Sequence, residues 1–196
     1  MRTSTEASQL LLLLTWMSPA FPTGAFAYSH GLEWAIDTGT VKTAEDLKGW
    51  IGDLVTRGSG WNDAVIFARC WEEDVGQLNA LALALATSRE RHLETTQLGR
   101  AFRIAAGVFA PAVLDADEIA YPVAAGTACA AMGIDRDAAL LAYLQGFAAS
   151  LSSVAVRLVP IGQTAGLEVL RDLAPIIART AERAGAARLE QLGAIT

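Results

Sequence analysis

The chain runs to 196 residues and 20.7 kDa, a length that suits one domain with a sizeable core. Hydrophobic residues make up 53% and charged residues only 18%, which excludes intrinsic disorder. With 15 Lys+Arg against 21 Asp+Glu, the net charge of −6 argues against a nucleic-acid binder held by charge. An average soluble domain carries about 25% charged residues, so the shortfall points to a membrane or to surface hidden against partners.

Helical periodicity dominates the chain, and no run alternates as a strand would. The first seven residues read as a flexible end. Ala7 to Ser29 carries no charge and contains the leucine run Leu10 to Leu14. Pro19, Pro22 and Gly24 interrupt it, and the apolar part ends near Met17, too short to span a bilayer. Ala25-Phe26-Ala27 mimics a signal-cleavage site. However, Glu6 offsets Arg2, and turn-forming residues fill the stretch before the triplet.

Thr43 with Asp46 reads as a capping box opening a helix to about Arg57, with Leu47, Trp50, Ile51 and Leu54 inside. Gly58-Ser59-Gly60 breaks the chain before a second helix through Ala64, Phe67, Ala68 and Trp71. Gly76 separates this from a short helix, Leu78 to Ala86. Ser88 caps a long one that buries Leu98, Phe102, Ala105 and Phe109 and stops at Pro111. Glu90 and Glu94 early and Arg100 and Arg103 late suit the helix dipole.

Tyr121-Pro122 precedes a helix from Val123 to Met132, ended by Gly133. Asp135 caps the next, to about Leu158. This helix is uncharged from Ala138 to Val156, but Gln145, Ser150, Ser152 and Ser153 make it a buried core helix rather than a span. Its Gly146, Ser150, Val154 spacing lets a neighbour approach closely. After a turn at Pro160, the last helix places Leu167, Leu170, Ala174, Ile177 and Ala181 inside, and Pro175 should kink or split it. Residues 1–196 therefore read as a single all-α domain, a bundle of about eight to ten helices.

Catalytic signals are sparse. Cys70 and Cys129 lie far apart with no CxxC and read as two reduced core thiols. Gly39-Thr40-Val41-Lys42-Thr43 lacks the glycine that a phosphate loop needs before its lysine. No GxSxG or HExxH occurs. His30 and Glu33, three apart, form the one local acid–base grouping; it could bind metal, move protons or make a structural hydrogen bond. His92 sits in a charged helix start. Arg157, the first charge after the neutral stretch, either complements a helix end or faces a partner. The stretch Ser18 to Glu33, with two prolines, two glycines and three aromatics, reads as an ordered connector or a preorganised contact surface.

That stretch, Ser-Pro-Ala-Phe-Pro-Thr-Gly-Ala-Phe-Ala-Tyr-Ser-His-Gly-Leu-Glu, resembles the signature of the UreF family of urease accessory proteins. Three more stretches agree in order: Gln97-Leu98-Gly99-Arg100, Tyr121-Pro122-Val123-Ala124-Ala125-Gly126, and Ser153 to Thr164. The resemblance covers about residues 8–180. Leu167 departs from the glutamine that often follows Gly166, and the basic, aromatic tail usual in the family is not found before Thr196.

The resemblance implies an all-helical, non-catalytic, cytoplasmic protein that forms a homodimer and needs no cofactor, nucleic acid or membrane. It would bridge a UreD/UreH-type accessory protein and a UreG-type GTPase on the urease apoprotein, supporting GTP-dependent nickel insertion. Nickel and GTP ligands would lie mostly on partners. The partner-binding residues expected are Phe26, Tyr28, His30, Glu33, Gln97, Arg100, Arg157 and Gln163, with Pro22, Gly24 and Gly31 setting loop geometry. The competing readings are a small metal-dependent helical hydrolase using His30 and Glu33, and a membrane-embedded protein.

Overall fold

Small side chains decide which helices reach the centre. The computed structural model describes residues 4–109, 118–159 and 161–193. Its elements are α1 (Ser4–Trp16), a 3-10 turn (Ala25–Ala27), α2 (Leu32–Asp37), α3 (Ala44–Arg57), α4 (Ser59–Arg69) and α5 (Val75–Ala84). There follow α6 (Arg89–Ala106), α7 (Tyr121–Ala131), α8 (Arg136–Leu158), α9 (Gly162–Ala186) and a 3-10 turn (Leu189–Gln191). No strand occurs among the described residues, so the fold is all-α, as the periodicity predicts. The expected stop at Pro111 and turn at Pro160 lie outside the described residues.

Local chemistry sets most of the helix starts. The capping box closes at α3: the Asp46 amide donates to Thr43 Oγ1 at 3.2 Å and the Thr43 amide to Asp46 Oδ2 at 3.0 Å. Ser88 Oγ accepts from the Arg91 amide at 3.1 Å, and Asp135 Oδ1 from that of Ala138 at 2.9 Å. Two starts differ from expectation. Asp74 caps α5 by accepting from the Gln77 amide at 2.9 Å, so Gly76 lies inside the first turn instead of ahead of it. Pro122 falls within the first turn of α7, where its missing N–H leaves nothing unpaired.

The core is built around α4 and α7. Every residue from Pro122 to Cys129 is buried, as are Trp61, Asn62 and Ala64–Ala68 of α4. Helices α8 and α9 pack along one another; α3 lies on α9 and α4, and α6 on α7. Two glycines make close crossings possible. A Cβ on Gly99 would overlap the carbonyl oxygen of Ile119, and one on Gly146 would come within 2.5 Å of the Met17 carbonyl oxygen. Both expected thiols are buried and outside any disulfide, and burial pushes the Cys70 thiol up to about 12.

The interior face of α9 runs through Gly166, Val169, Leu173, Ile177, Thr180 and Ala184. Leu167 and Ala174, expected inside, are exposed. Gly166 takes the inward position because the Val156 side chain comes within 2.5 Å of where its Cβ would stand, a place no leucine could fill. Pro175 does not split α9: it lies on the exposed side, where the carbonyl it leaves unpaired can reach water. On α6, Ala106 is buried where Phe109 was expected, and Phe109 lies exposed beyond the helix end.

By length and composition α8 could cross a membrane, yet half of its most apolar window is buried in the bundle. Large apolar side chains also remain exposed, among them Leu11 and Leu14 on α1 and Ile104 and Val108 at the end of α6.

The two kinds of glycine give a paired prediction. Gly99→Ala should lower unfolding stability by about 3 kcal/mol, since backbone must move. Gly49→Ala, in an open position of α3, should raise it by about 0.5–1 kcal/mol. Urea denaturation of both variants checks the pair.

Candidate functional site

The loop singled out in the sequence folds as a series of tight turns that lead into α2. Gly24 and Gly31 take left-handed backbone, with φ of 81° and 76°, which a side chain would strain. Between them the 3-10 turn leaves Phe26 68% exposed. Tyr28 reaches back to α6, its hydroxyl donating to Gln97 Oε1 at 2.6 Å. Burial, with the Glu94 charge behind it, raises the Tyr28 phenol above its ordinary value.

Beneath the loop lies a cluster of charges. Helix α4 presents Ser59 and Asp63, one turn apart; α6 presents Arg91 and Glu94, also one turn apart. His30 Nε2 stands 3.1 Å from Glu94 Oε1, and its Nδ1 stands 3.1 Å from Ser59 Oγ. The ring packs on Phe147 of α8 at 4.8 Å. Arg91 spans the cluster, with Nη2 2.7 Å from Asp63 Oδ2 and Nη1 3.1 Å from Glu94 Oε1. Glu94 is only 6% exposed. A small cavity beside the cluster is lined by Tyr28, His30, Arg91, Glu94, Tyr121 and Tyr143.

Burial alone would raise the Glu94 carboxyl, but the hydrogen bonds and charges of His30 and Arg91 outweigh it and hold the group below its ordinary value. For Arg91, burial lowers the guanidinium's value, and the carboxylates of Asp63 and Glu94 reverse this and raise it. Asp63, Arg91 and Glu94 thus form an ion triad, with the His30 ring as its outermost member.

The expected site residues separate into groups. The structure brings together Tyr28, His30 and Gln97, with Phe26 exposed on the same loop. Arg100 lies exposed one turn beyond Gln97. Arg157 and Gln163 are exposed at the end of α8 and the start of α9, away from the Tyr28–Gln97 and His30–Glu94 contacts. His30 and Glu33 do not form an acid–base pair. His30 precedes α2, its backbone is left-handed (φ 49°) and its ring engages Glu94, whereas Glu33 is exposed on α2. Among the described residues no group of three His, Cys, Asp or Glu side chains converges to hold a metal ion.

Sequence reasoning missed Glu94, Arg91, Asp63 and Ser59. A signal was present: stepping back from Phe102 and Leu98 along the buried face of α6 lands on Glu94 or Thr95, and then on Arg91.

A carboxylate with a depressed value stabilises the fold above its ordinary range and loses that contribution as pH falls through the folded value. The melting temperature should therefore drop as pH is lowered below about 4.3. Glu94→Gln should flatten that acid limb and cost about 2–3 kcal/mol near neutrality, leaving Arg91 and His30 under-compensated. Thermal unfolding across pH checks both effects.

The UreF family model matches residues 41–174. Urease accessory protein UreF of Methylorubrum populi is 43% identical over 200 residues, covering 95% of this chain and 89% of its own. The proteins of the same name from Roseobacter denitrificans and Brucella ovis are 45% and 42% identical, covering 96% and 99% of this chain and 85% and 88% of their own. The chain belongs to the UreF family of urease accessory proteins.

Proposed function

We propose that this protein is a non-catalytic scaffold of urease maturation in the cytoplasm. It bridges a UreD/UreH-type accessory protein and a UreG-type GTPase on the urease apoprotein, and it supports GTP-dependent insertion of nickel, the cargo of the complex. The observation that carries this reading is an aromatic loop held open by buried chemistry in a chain of the UreF family. Phe26 is exposed on a short 3-10 turn, and Tyr28 and His30 are tied to α6 directly behind it. Side chains that stand exposed on an ordered backbone lose little entropy on docking, which favours recognition.

Two further features support a binding role. Arg157 and Gln163 flank the connection between the two longest helices and offer a second polar contact point. The exposed leucines of α1 and the apolar end of α6 supply area for a homodimer or an accessory subunit. The acid–base geometry that a hydrolase would need at His30 and Glu33 is not assembled, so the hydrolase reading gains nothing from the site.

Tyr28→Ala and Arg157→Ala should each weaken capture of the GTPase or of the UreD-type protein and lower urease activation by about tenfold, as truncation of an interface anchor does. Pull-down from purified components, with urease activity after reconstitution, checks this. Native capture and native activation by both variants would overturn the assignment of these surfaces.

A further inference from the structure

We propose that Arg91 and Glu94 are positioning residues: acting through His30, they lock residues 24–31 in the orientation that presents Phe26 and Tyr28 to a partner. This rests on the reading above that the loop is a partner surface. The loop has no regular backbone pairing with the rest of the described residues, although its 3-10 turn packs on α8. Its backbone hydrogen bonds are local, from Ala27 to Gly24 at 3.0 Å, from Tyr28 to Ala25 at 3.1 Å and from Leu32 to Ser29 at 2.9 Å. Local turns shape a loop but do not aim it. Aim comes from the side chains that cross to other elements.

Those crossings converge on one place. Tyr28 binds Gln97 and His30 contacts Glu94, three residues apart on one face of α6. The His30 ring also meets Ser59 at the start of α4 and Phe147 on α8. One imidazole thus references the loop to three helices. Its backbone supports the same conclusion, because His30 is the one non-glycine residue with positive φ among those described. A left-handed histidine persists where its surroundings over-determine it. The surroundings here are Glu94 and Ser59.

Glu94 is itself held from behind. Arg91 contacts its carboxylate and that of Asp63 together, so the order of support runs Asp63, Arg91, Glu94, His30, loop. None of the first three belongs to the exposed aromatic surface, and each is half-buried or buried. Their influence on a partner is therefore indirect and acts through the preorganisation of the loop.

The test uses the full chain with purified UreD-type accessory protein and UreG-type GTPase as separate probes. His30→Asn is the first variant, since asparagine tolerates left-handed backbone but is too short to reach Glu94. Glu94→Gln, the double variant, Tyr28→Ala and Thr43→Ala complete the set; the last is a remote destabilised control. Each network variant should lose about tenfold in affinity for the probe that Tyr28→Ala weakens. The double variant should lose no more than the weaker single one, because both act through one contact. In His30→Asn, hydrogen exchange should rise at amides 24–31 and not in α4 or α6, and Thr43→Ala should bind normally.

If Tyr28→Ala weakens binding while His30→Asn and Glu94→Gln bind as the native chain does, the positioning role is overturned and the functional reading stands. An equal loss in Thr43→Ala also overturns it, by showing that general stability governs affinity. Normal binding by Tyr28→Ala overturns both. Should Glu94→Gln fail to fold, His30→Asn decides alone.

Discussion

An ionised carboxylate taken out of water must find its compensation in the protein, and Glu94 finds it in Arg91 and His30. That requirement ties together parts of the chain with no other reason to meet. Arg91 must also satisfy Asp63, which links α6 to α4; His30 must come down from the loop; Ser59 must stand at the start of α4 to face the second ring nitrogen. An apolar cluster of the same volume would permit many packings. A charged one permits few, because each alternative strands a charge.

Around that cluster the apolar core follows a simpler logic. Small residues bring α7 and α4 into the middle, and a run of aromatics fills the space they leave. Phe21, Phe102, Tyr121, Tyr143, Phe67 and Trp71 follow in contact order, with ring centres between 4.7 and 5.8 Å apart. The run begins at Phe21, in the upstream part of the loop, and ends beyond α4. The loop is therefore bracketed: Phe21 seats its upstream end in the core, and His30 seats its downstream end on the cluster.

Features governed by neighbouring residues were legible in the sequence. Thr43 with Asp46, Ser88 and Asp135 cap the helices they announce, because a cap is a contact within four residues. The all-α class followed from periodicity, whereas Tyr28, His30 and Gln97 entered the expected partner surface through the resemblance of their stretches to the UreF family. What escaped depends on long-range contact. Glu94 and Arg91 have the composition of a solvated helix start, and only α4 and the loop make them interior. The face of α9 escaped for a related reason. Hydrophobicity favours Leu167, but the close approach of α8 admits only Gly166. His30 and Glu33 are near in sequence, yet left-handed backbone at His30 turns the two side chains to different surroundings.

The bracketing of the loop by Phe21 and His30 has a thermodynamic consequence. A segment already ordered at both ends has little left to fold when it docks, so the heat-capacity change of association should reflect surface covered at the contact alone. The large additional decrement seen when a disordered segment folds onto its target should be missing. Recognition through this surface would then be a rigid-body event, its rate set by orientation and charge and not by the time the loop needs to find its shape.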